Sequence, residues 1–181
     1  MEPRRHMELR TFLASEPFAI RPLGKDELPL IDEALTHDSY SEENPGTPCN
    51  GRLEFLGDAV LGLIVCDALY AGGVGPEGPM TDAKQGIVSN ANISGRVLER
   101  LPSLDNMLLV GNGHTDRRGN SVLTEKMRAD AFEALVGALY LTRGIGAARD
   151  FVERVLLRQS PGVEAREEGP VGPSPNHLGD P

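Results

Sequence analysis

The sequence predicts an all-α protein with one folded domain. Apolar residues recur at steps of three and four, as in Leu28, Ile31 and Leu35, and this spacing is typical of helices rather than strands. Segments rich in Gly and Pro separate the periodic stretches, and no solenoid repeat is visible. A chain of 181 residues with 39% hydrophobic content is large enough to bury one core and too short for two ordinary domains.

The positions of the Gly- and Pro-rich segments divide the chain into elements. We expect helices near residues 26–37, 52–70, 82–100, 122–142 and 146–158, and a shorter turn or helix at 103–109. The breaks between them fall at 41–51, 71–79 and 111–120. Residues 1–25 are interpreted as an N-terminal extension and lead-in, and 26–160 as the domain. Residues 161–181 form an acidic, Gly/Pro-rich tail that we expect to be disordered.

Charge and cysteine usage restrict the class of protein. A formal charge of −9 argues against nucleic-acid binding by broad electrostatics, which needs clustered Lys and Arg. The N-terminus has no signal peptide and no apolar run could span a bilayer, so we expect a cytoplasmic protein. Cys49 and Cys66 fit no metal-binding spacing, and Cys66, inside an apolar run, is predicted to be a buried free thiol.

Two acidic pairs interrupt the most apolar segments. Glu54 and Asp58, in NGRLEFLGDAVLGLIV, are four residues apart and therefore share a helix face. Such a pair usually marks a solvated face, but apolar residues here surround the helix axis, so we expect burial on most sides. Asp130 and Glu133, in MRADAFEALVGALYL, likewise share a face of a helix that is apolar nearly all round.

Four carboxylates on two buried helices are able to converge on one point. Unpaired anions beside a core must protonate, find cations or bind a metal. Carboxylate oxygens without Cys ligands favour Mg2+, with Mn2+ as a substitute, over zinc. The chemistry of such a site is phosphoryl or phosphodiester displacement. Glycines at 57, 62 and 137 would let the neighbouring backbones approach closely.

The segments that carry these residues resemble the ribonuclease III family. NGRLEFLGDAVL is similar to the signature segment of the family, and ADAFEALVGALYL is similar to its second acidic motif. ALTHDSY, GIVSNANIS and LLVGNGHTD follow the family order, so that the resemblance spans roughly residues 28–158. It implies a dimeric, all-helical endonuclease domain that uses Mg2+ to hydrolyse double-stranded RNA, leaving 5′-phosphate and 3′-hydroxyl ends.

The resemblance also implies roles for individual residues. It assigns Glu54, Asp58, Asp130 and Glu133 as the metal-binding and catalytic residues. Lys126 matches a lysine that in some branches of the family contacts the scissile region, although a solvated helix lysine is an equal alternative. The local cations expected to contact RNA are Lys84, Arg96, Arg117, Arg118, Lys126 and Arg128.

Some positions depart from the family pattern. Gly51 stands where a further glutamate is usual, Asp38 replaces a common arginine, and Gln85 and Gly86 occupy a segment that is usually more basic. The chain resembles short members of the family that lack a double-stranded-RNA-binding domain. We therefore expect weak RNA binding and a possible protein partner that supplies further RNA-binding surface. The helix predicted over 52–70 has more apolar positions than a lone small domain needs to bury, so we also expect a symmetric homodimer.

Two alternatives belong to other classes of protein. One is a non-catalytic relative that acts as an RNA-binding or scaffold element in a ribosomal or RNA-processing complex, although all four acidic residues are present here. The other is a metal phosphohydrolase of the histidine-aspartate type, suggested by His37 and Asp38. That site needs further histidines, and only His114, His6 and His177 remain. We expect instead that His37 caps or packs at a helix end.

Overall fold

The computed structural model of the chain describes residues 2–18, 27–116 and 118–158. Its helices are α1 Pro3–Ala14, α2 Glu27–Ala34, α3 Asp38–Glu43, α4 Gly51–Ala71, α5 Glu77–Ile87, α6 Asn90–Arg100, α7 Leu104–Met107 and α8 Glu125–Val152. A 3-10 turn, Asn112–His114, precedes α8, and a π-helical turn, Glu153–Leu157, follows it. Within these residues there is no strand, only the isolated bridges Thr36–Leu109 and Thr115–Ser121. The all-α prediction is confirmed, and the predicted tail lies outside the described residues.

The helices α4 and α8 form the centre of the fold, and glycines bring their backbones together. A Cβ at Gly57 would overlap the backbone carbonyl of Glu133, and a Cβ at Gly137 would lie 2.5 Å from the carbonyl oxygen of Leu53. Side chains larger than hydrogen would therefore push the helices apart. This close approach occurs beside both acidic pairs and fixes their relative position. Gly62, by contrast, meets only the Lys84 side chain.

Helix α8 is buried along its central turns. Thr124 caps it by accepting a hydrogen bond from the Met127 backbone N–H, and every residue from 129 to 139 is buried. Gly144 interrupts the helical backbone with φ 80°, a conformation that favours glycine. The break predicted between residues 142 and 146 is therefore present as a kink within α8.

Three helix predictions need correction. A single helix over 82–100 is wrong, because the chain breaks after Ile87 and Ser89 caps α6 by accepting from the Asn92 backbone N–H. The helix predicted over 26–37 ends earlier, and α3 follows it. No helix is predicted before residue 26, but α1 is present there and its apolar face enters the core through Leu9, Phe12 and Leu13.

Helix α4 is not buried on most sides, contrary to the prediction. It buries one face, while Phe55, Leu63 and Tyr70 are 84%, 60% and 78% exposed. We call these three residues the α4 stripe. Cys66 is exposed, so the predicted buried thiol is also wrong, and both cysteines are free. No helix in the described ranges has the length and apolar character needed to cross a membrane.

Candidate metal centre

Three of the four predicted carboxylates meet where α4 contacts α8. Glu54 lies in the first turn of α4, and Asp130 and Glu133 lie on the buried face of α8. Each contributes an oxygen to a group whose members all lie within 4.8 Å of one another. Asp130 is 8% exposed and Glu133 is 9% exposed, whereas Glu54 is half-buried. We call these three residues the carboxylate cluster.

Asp58 does not join the carboxylate cluster. It lies one turn after Glu54 on α4, but it is exposed and falls outside the group within 4.8 Å. Its charge nevertheless reaches the cluster, because Asp58 is the largest charged contributor to the raised pKa of Glu133. The structure therefore places Asp58 beside the cluster rather than within it.

Among the described residues, Lys126 is the cation that faces these carboxylates. The Lys126 ammonium donates to both carboxylate oxygens of Asp130, at 2.8 Å and 2.7 Å, and lies 3.8 Å from Oε1 of Glu54. The hydrogen bond to Asp130 is the main cause of a raised pKa for Lys126, because it stabilises the charged form. Lys126 therefore belongs to the same electrostatic unit as the carboxylate cluster.

Burial and mutual repulsion raise the pKa of two of the carboxyl groups. The pKa of Glu133 rises from 4.5 to about 7, mainly because burial penalises its charge, and then because Asp58 and Asp130 repel it. The pKa of Glu54 is also raised, first by burial and then by Asp130. Two carboxyl groups that resist ionisation make this region an unfavourable place for negative charge without more positive charge nearby.

The loop before α4 is tied to the segment between α2 and α3, which is itself tied to the loop after α7, and these bonds position Glu54. The Asn50 backbone N–H donates to the Thr36 carbonyl at 2.8 Å, and the Asn50 carbonyl accepts from the Glu54 N–H at 2.8 Å. The His37 backbone N–H donates to the carbonyl of Leu109 at 2.9 Å. Sequence reasoning missed these supports because backbone bonds between distant segments leave no spacing pattern.

His37 caps α3, as expected for a histidine at a helix end. Its Nδ1 accepts from the Ser39 backbone N–H at 3.2 Å and lies 2.8 Å from Asp38. The ring of His114 packs edge-on at a centroid distance of 5.7 Å. Asp38 also contributes to the raised pKa of Glu54, which places this corner beside the carboxylate cluster.

The histidine-aspartate alternative is not supported by this geometry. His6 lies on α1 and His177 lies outside the described residues. Among the described residues, the carboxylate cluster is the one group with three or more potential metal ligands in close proximity. Its donors are all carboxylate oxygens, which suits a hard divalent cation rather than zinc.

The predicted RNA-contacting cations separate into different environments. Lys84 is half-buried on α5 with its ammonium near Gly62, and Arg118 is exposed. Arg128 is instead structural, because its guanidinium donates to both carboxylate oxygens of Asp105 at 2.8–3.1 Å.

The remaining predicted cations are Arg96 and Arg117. Arg96 forms an ion pair with Glu99 at 3.1 Å, and Arg117 lies outside the described residues. Of the predicted cations, Lys126 contacts the carboxylate cluster, Arg118 is exposed and Lys84 is half-buried.

The carboxylate cluster fits a divalent cation on the chemistry of its donors. Three carboxylates converge, a fourth lies beside them, and a single lysine is the opposing charge within 4 Å among the described residues. The pKa values of Glu54 and Glu133 stay raised, first by burial and then by repulsion from neighbouring carboxylates, although Lys126 lowers both. A bound Mg2+ would supply the missing positive charge through the oxygen ligands it prefers.

Comparisons with known proteins agree with the motifs. A ribonuclease-III-like family model matches residues 27–160. Ribonuclease 3 of Streptomyces coelicolor is 40% identical over 132 residues, covering 71% of this chain and 46% of the relative. Ribonuclease 3 of Symbiobacterium thermophilum is 39% identical over 145 residues, covering 78% and 57% respectively. The chain thus spans about half the length of these relatives.

A solved structure shows the same architecture. The nuclease domain of ribonuclease III from Campylobacter jejuni aligns with a TM-score of 0.66 and 27% identity, covering 87% of this chain and 97% of that domain. The predicted resemblance is therefore confirmed by sequence and by fold. With the family model matched across most of its length, the chain belongs to the ribonuclease III family.

Proposed function

We propose that the chain is a Mg2+-dependent endoribonuclease that hydrolyses phosphodiester bonds in double-stranded RNA during RNA processing. The observation that carries this proposal is the convergence of Glu54, Asp130 and Glu133 within 4.8 Å, on two helices locked together by glycine contacts. Family membership supports the reaction type. Mn2+ can substitute for Mg2+ because both accept oxygen ligands.

The four acidic residues would have two kinds of role at the metal. Glu54, Asp130 and Glu133 would hold the metal, and Asp58, exposed beside them, would complete the ligand set directly or through water. A divalent ion held by these residues would supply an activated water and would neutralise charge that develops on the phosphate. Attack by water on phosphorus with departure of the 3′ oxygen leaves 5′-phosphate and 3′-hydroxyl ends.

The α4 stripe supports a homodimer. Three large apolar side chains, Phe55, Leu63 and Tyr70, are exposed along one helix face, and contiguous exposed apolar surface marks an interaction site. Isologous pairing would bury the stripe of each subunit against its copy. The nuclease domain of Campylobacter jejuni ribonuclease III has a structurally flexible region involved in dimer formation. In this chain the dimer would present two carboxylate clusters to one RNA duplex.

RNA binding should be weak without metal. The chain carries a formal charge of −9. Of the cations predicted to contact RNA, those still available for phosphate among the described residues are Lys84, Lys126 and Arg118. Proteins that neutralise many phosphates lose affinity steeply with salt, so a shallow salt dependence is expected here. Arg118→Ala should reduce duplex affinity slightly, and Arg117 is proposed to act with it. A protein partner would supply further RNA-binding surface.

A second candidate function is non-catalytic RNA binding or scaffolding in a ribosomal or RNA-processing complex. The specific observation in its favour is Gly51, which starts α4 with no side chain where the family usually has glutamate. The acidic net charge also favours a weak RNA binder over a typical nuclease of the family. Retention of the complete set of acidic residues favours the enzyme.

The test is cleavage of labelled duplex RNA by the purified chain with and without Mg2+. We expect metal-dependent products with 5′-phosphate ends, and at least a hundredfold loss of activity in Glu133→Gln and in Asp58→Asn, on the order of single catalytic-group removals. Asp67→Asn removes the same charge from α4 at an exposed ion pair with Arg149 and should retain activity. Metal-independent binding without cleavage would favour the scaffold instead.

A further inference from the structure

The Lys126 ammonium lies against two carboxylates of the cluster. It donates to both oxygens of Asp130, at 2.8 Å and 2.7 Å, and is 3.8 Å from Glu54. Both carboxylate oxygens of Asp130 are therefore engaged by one cation. A divalent ion that took Asp130 as a ligand would need at least one of the same oxygens.

In the part of the chain that the structure describes, Lys126 is the cation paired with these carboxylates. Within the described ranges, no other Lys or Arg forms an ion pair with Glu54, Asp58, Asp130 or Glu133. Lys126 also lowers the pKa of Glu133 and of Glu54, against the effects of burial and neighbouring acids. The carboxylates thus rely on this one side chain for charge compensation.

Lys126 is placed so that it can leave without disturbing the core. It lies in the first turn of α8, four residues before Asp130, and Thr124 caps that turn. Its side chain is 66% exposed, whereas that of Asp130 is 11% exposed. The ammonium therefore approaches the carboxylates from the solvent side on a flexible stem, and rotation about its side-chain bonds can withdraw it into water.

We propose that Lys126 is an internal counter-ion of the metal-free protein, which holds the carboxylate cluster together and competes directly with the divalent cation for Asp130. This inference rests on the proposed metal site and assigns a regulator of its affinity. Metal binding displaces the ammonium from Asp130. The released ammonium stays tethered beside the site, where a phosphate of the RNA is its next available partner.

Removal of the competitor should tighten metal binding. Lys126→Met keeps the length of the stem and deletes the charge, so its affinity for Mn2+ and Mg2+, titrated calorimetrically at pH 8.5, should increase roughly tenfold, equivalent to about 1.4 kcal/mol. Lys84→Met makes the same charge change at a lysine that pairs with no carboxylate among the described residues, and its gain should stay below about twofold. Unchanged or weaker binding by folded Lys126→Met would overturn the inference.

A stability measurement checks the same competition without relying on activity. In EDTA, Lys126→Met should be less stable than the wild type, because its carboxylates lack compensation. In saturating Mn2+ the stability difference should shrink by about 1.4 kcal/mol. A ligand stabilises the folded state according to its affinity, so tenfold tighter binding adds this amount to the stability of Lys126→Met. A stability difference that metal leaves unchanged would show that Lys126 and the ion do not compete.

Parallel cleavage assays separate this inference from the proposed function. If the wild type binds neither ion and does not cut duplex RNA, the metal site itself is wrong, and the counter-ion role falls with it. If the wild type binds metal and cuts RNA while Lys126→Met binds metal with wild-type affinity, only the counter-ion role is wrong.

Discussion

Replacing Glu133 with glutamine should stabilise the metal-free protein, and the gain should grow with pH. Glu133 is 9% exposed, and its pKa is about 7, raised mainly by burial and then by repulsion from Asp58 and Asp130. Glutamine has nearly the same size and shape but does not ionise. The substitution therefore removes the cost of placing a negative charge in this site.

The magnitude follows from the pKa. A rise from 4.5 to about 7 corresponds to about 3 kcal/mol at about 1.4 kcal/mol per pH unit. Because the folded-state pKa is above the unfolded value, the folded protein binds the extra proton between these pH values. Ionisation of Glu133 therefore lowers the stability of the wild type as pH rises from about 4.5 to about 7, and this cost stays constant at higher pH.

The assay is urea unfolding in EDTA at pH 4.5 and pH 8. Glu133→Gln should exceed the wild type by about 3 kcal/mol at pH 8 and by less than about 0.5 kcal/mol at pH 4.5, apart from any constant offset due to the amide. Asp67→Asn, at an exposed carboxylate on α4, serves as the control and should show no such growth with pH. A difference between Glu133→Gln and wild type that is independent of pH would refute the reasoning.

Four further substitutions test the packing and the assembly. Gly57→Ala forces a Cβ into the facing backbone and should cost at least ~3 kcal/mol in urea unfolding, whereas Gly62→Ala, with its nearest neighbour at 3.6 Å, should be neutral or stabilising by up to ~1 kcal/mol. Arg128→Met breaks the ion pair with Asp105, whose side chains are 15% and 26% exposed, and should cost about 2–3 kcal/mol in the same assay. Leu63→Lys puts a charge in the α4 stripe and should convert the dimer to monomer in sedimentation at micromolar concentration; a wild type that is already monomeric would contradict the proposed dimer.

The acidic motifs and the two helices that carry them were predictable because local sequence determines both. Glu54 and Asp130 each sit in a long periodic segment, so helix position and face follow from spacing alone. Convergence of carboxylates from the two helices was also predictable, because buried charges need a cation or a metal ion to offset the cost of burial. The outlying position of Asp58 was not predictable, because it depends on how far α4 is rotated against α8.

The errors arise where tertiary contacts outweigh local pattern. The apolar residues of α4 predict burial in the core, but Phe55 and Cys66 belong to a face that another subunit, rather than the core, is proposed to cover. Helix α1 is absent from the predicted elements because its few apolar residues, such as Leu9 and Phe12, are spread among charges in a short segment. The role of Arg128 depends on Asp105, 23 residues away, a partnership that only the folded chain reveals.

The proposed metal site where α4 contacts α8 is tested most directly by anomalous X-ray scattering from crystals grown in saturating Mn2+. The carboxylate geometry predicts a strong peak about 2.1 Å from oxygens of Glu54, Asp130 and Glu133, with the Lys126 ammonium withdrawn from Asp130. Absence of a peak at this position, with Mn2+ bound only at surface carboxylates elsewhere, would contradict the assignment of a metal-dependent nuclease site.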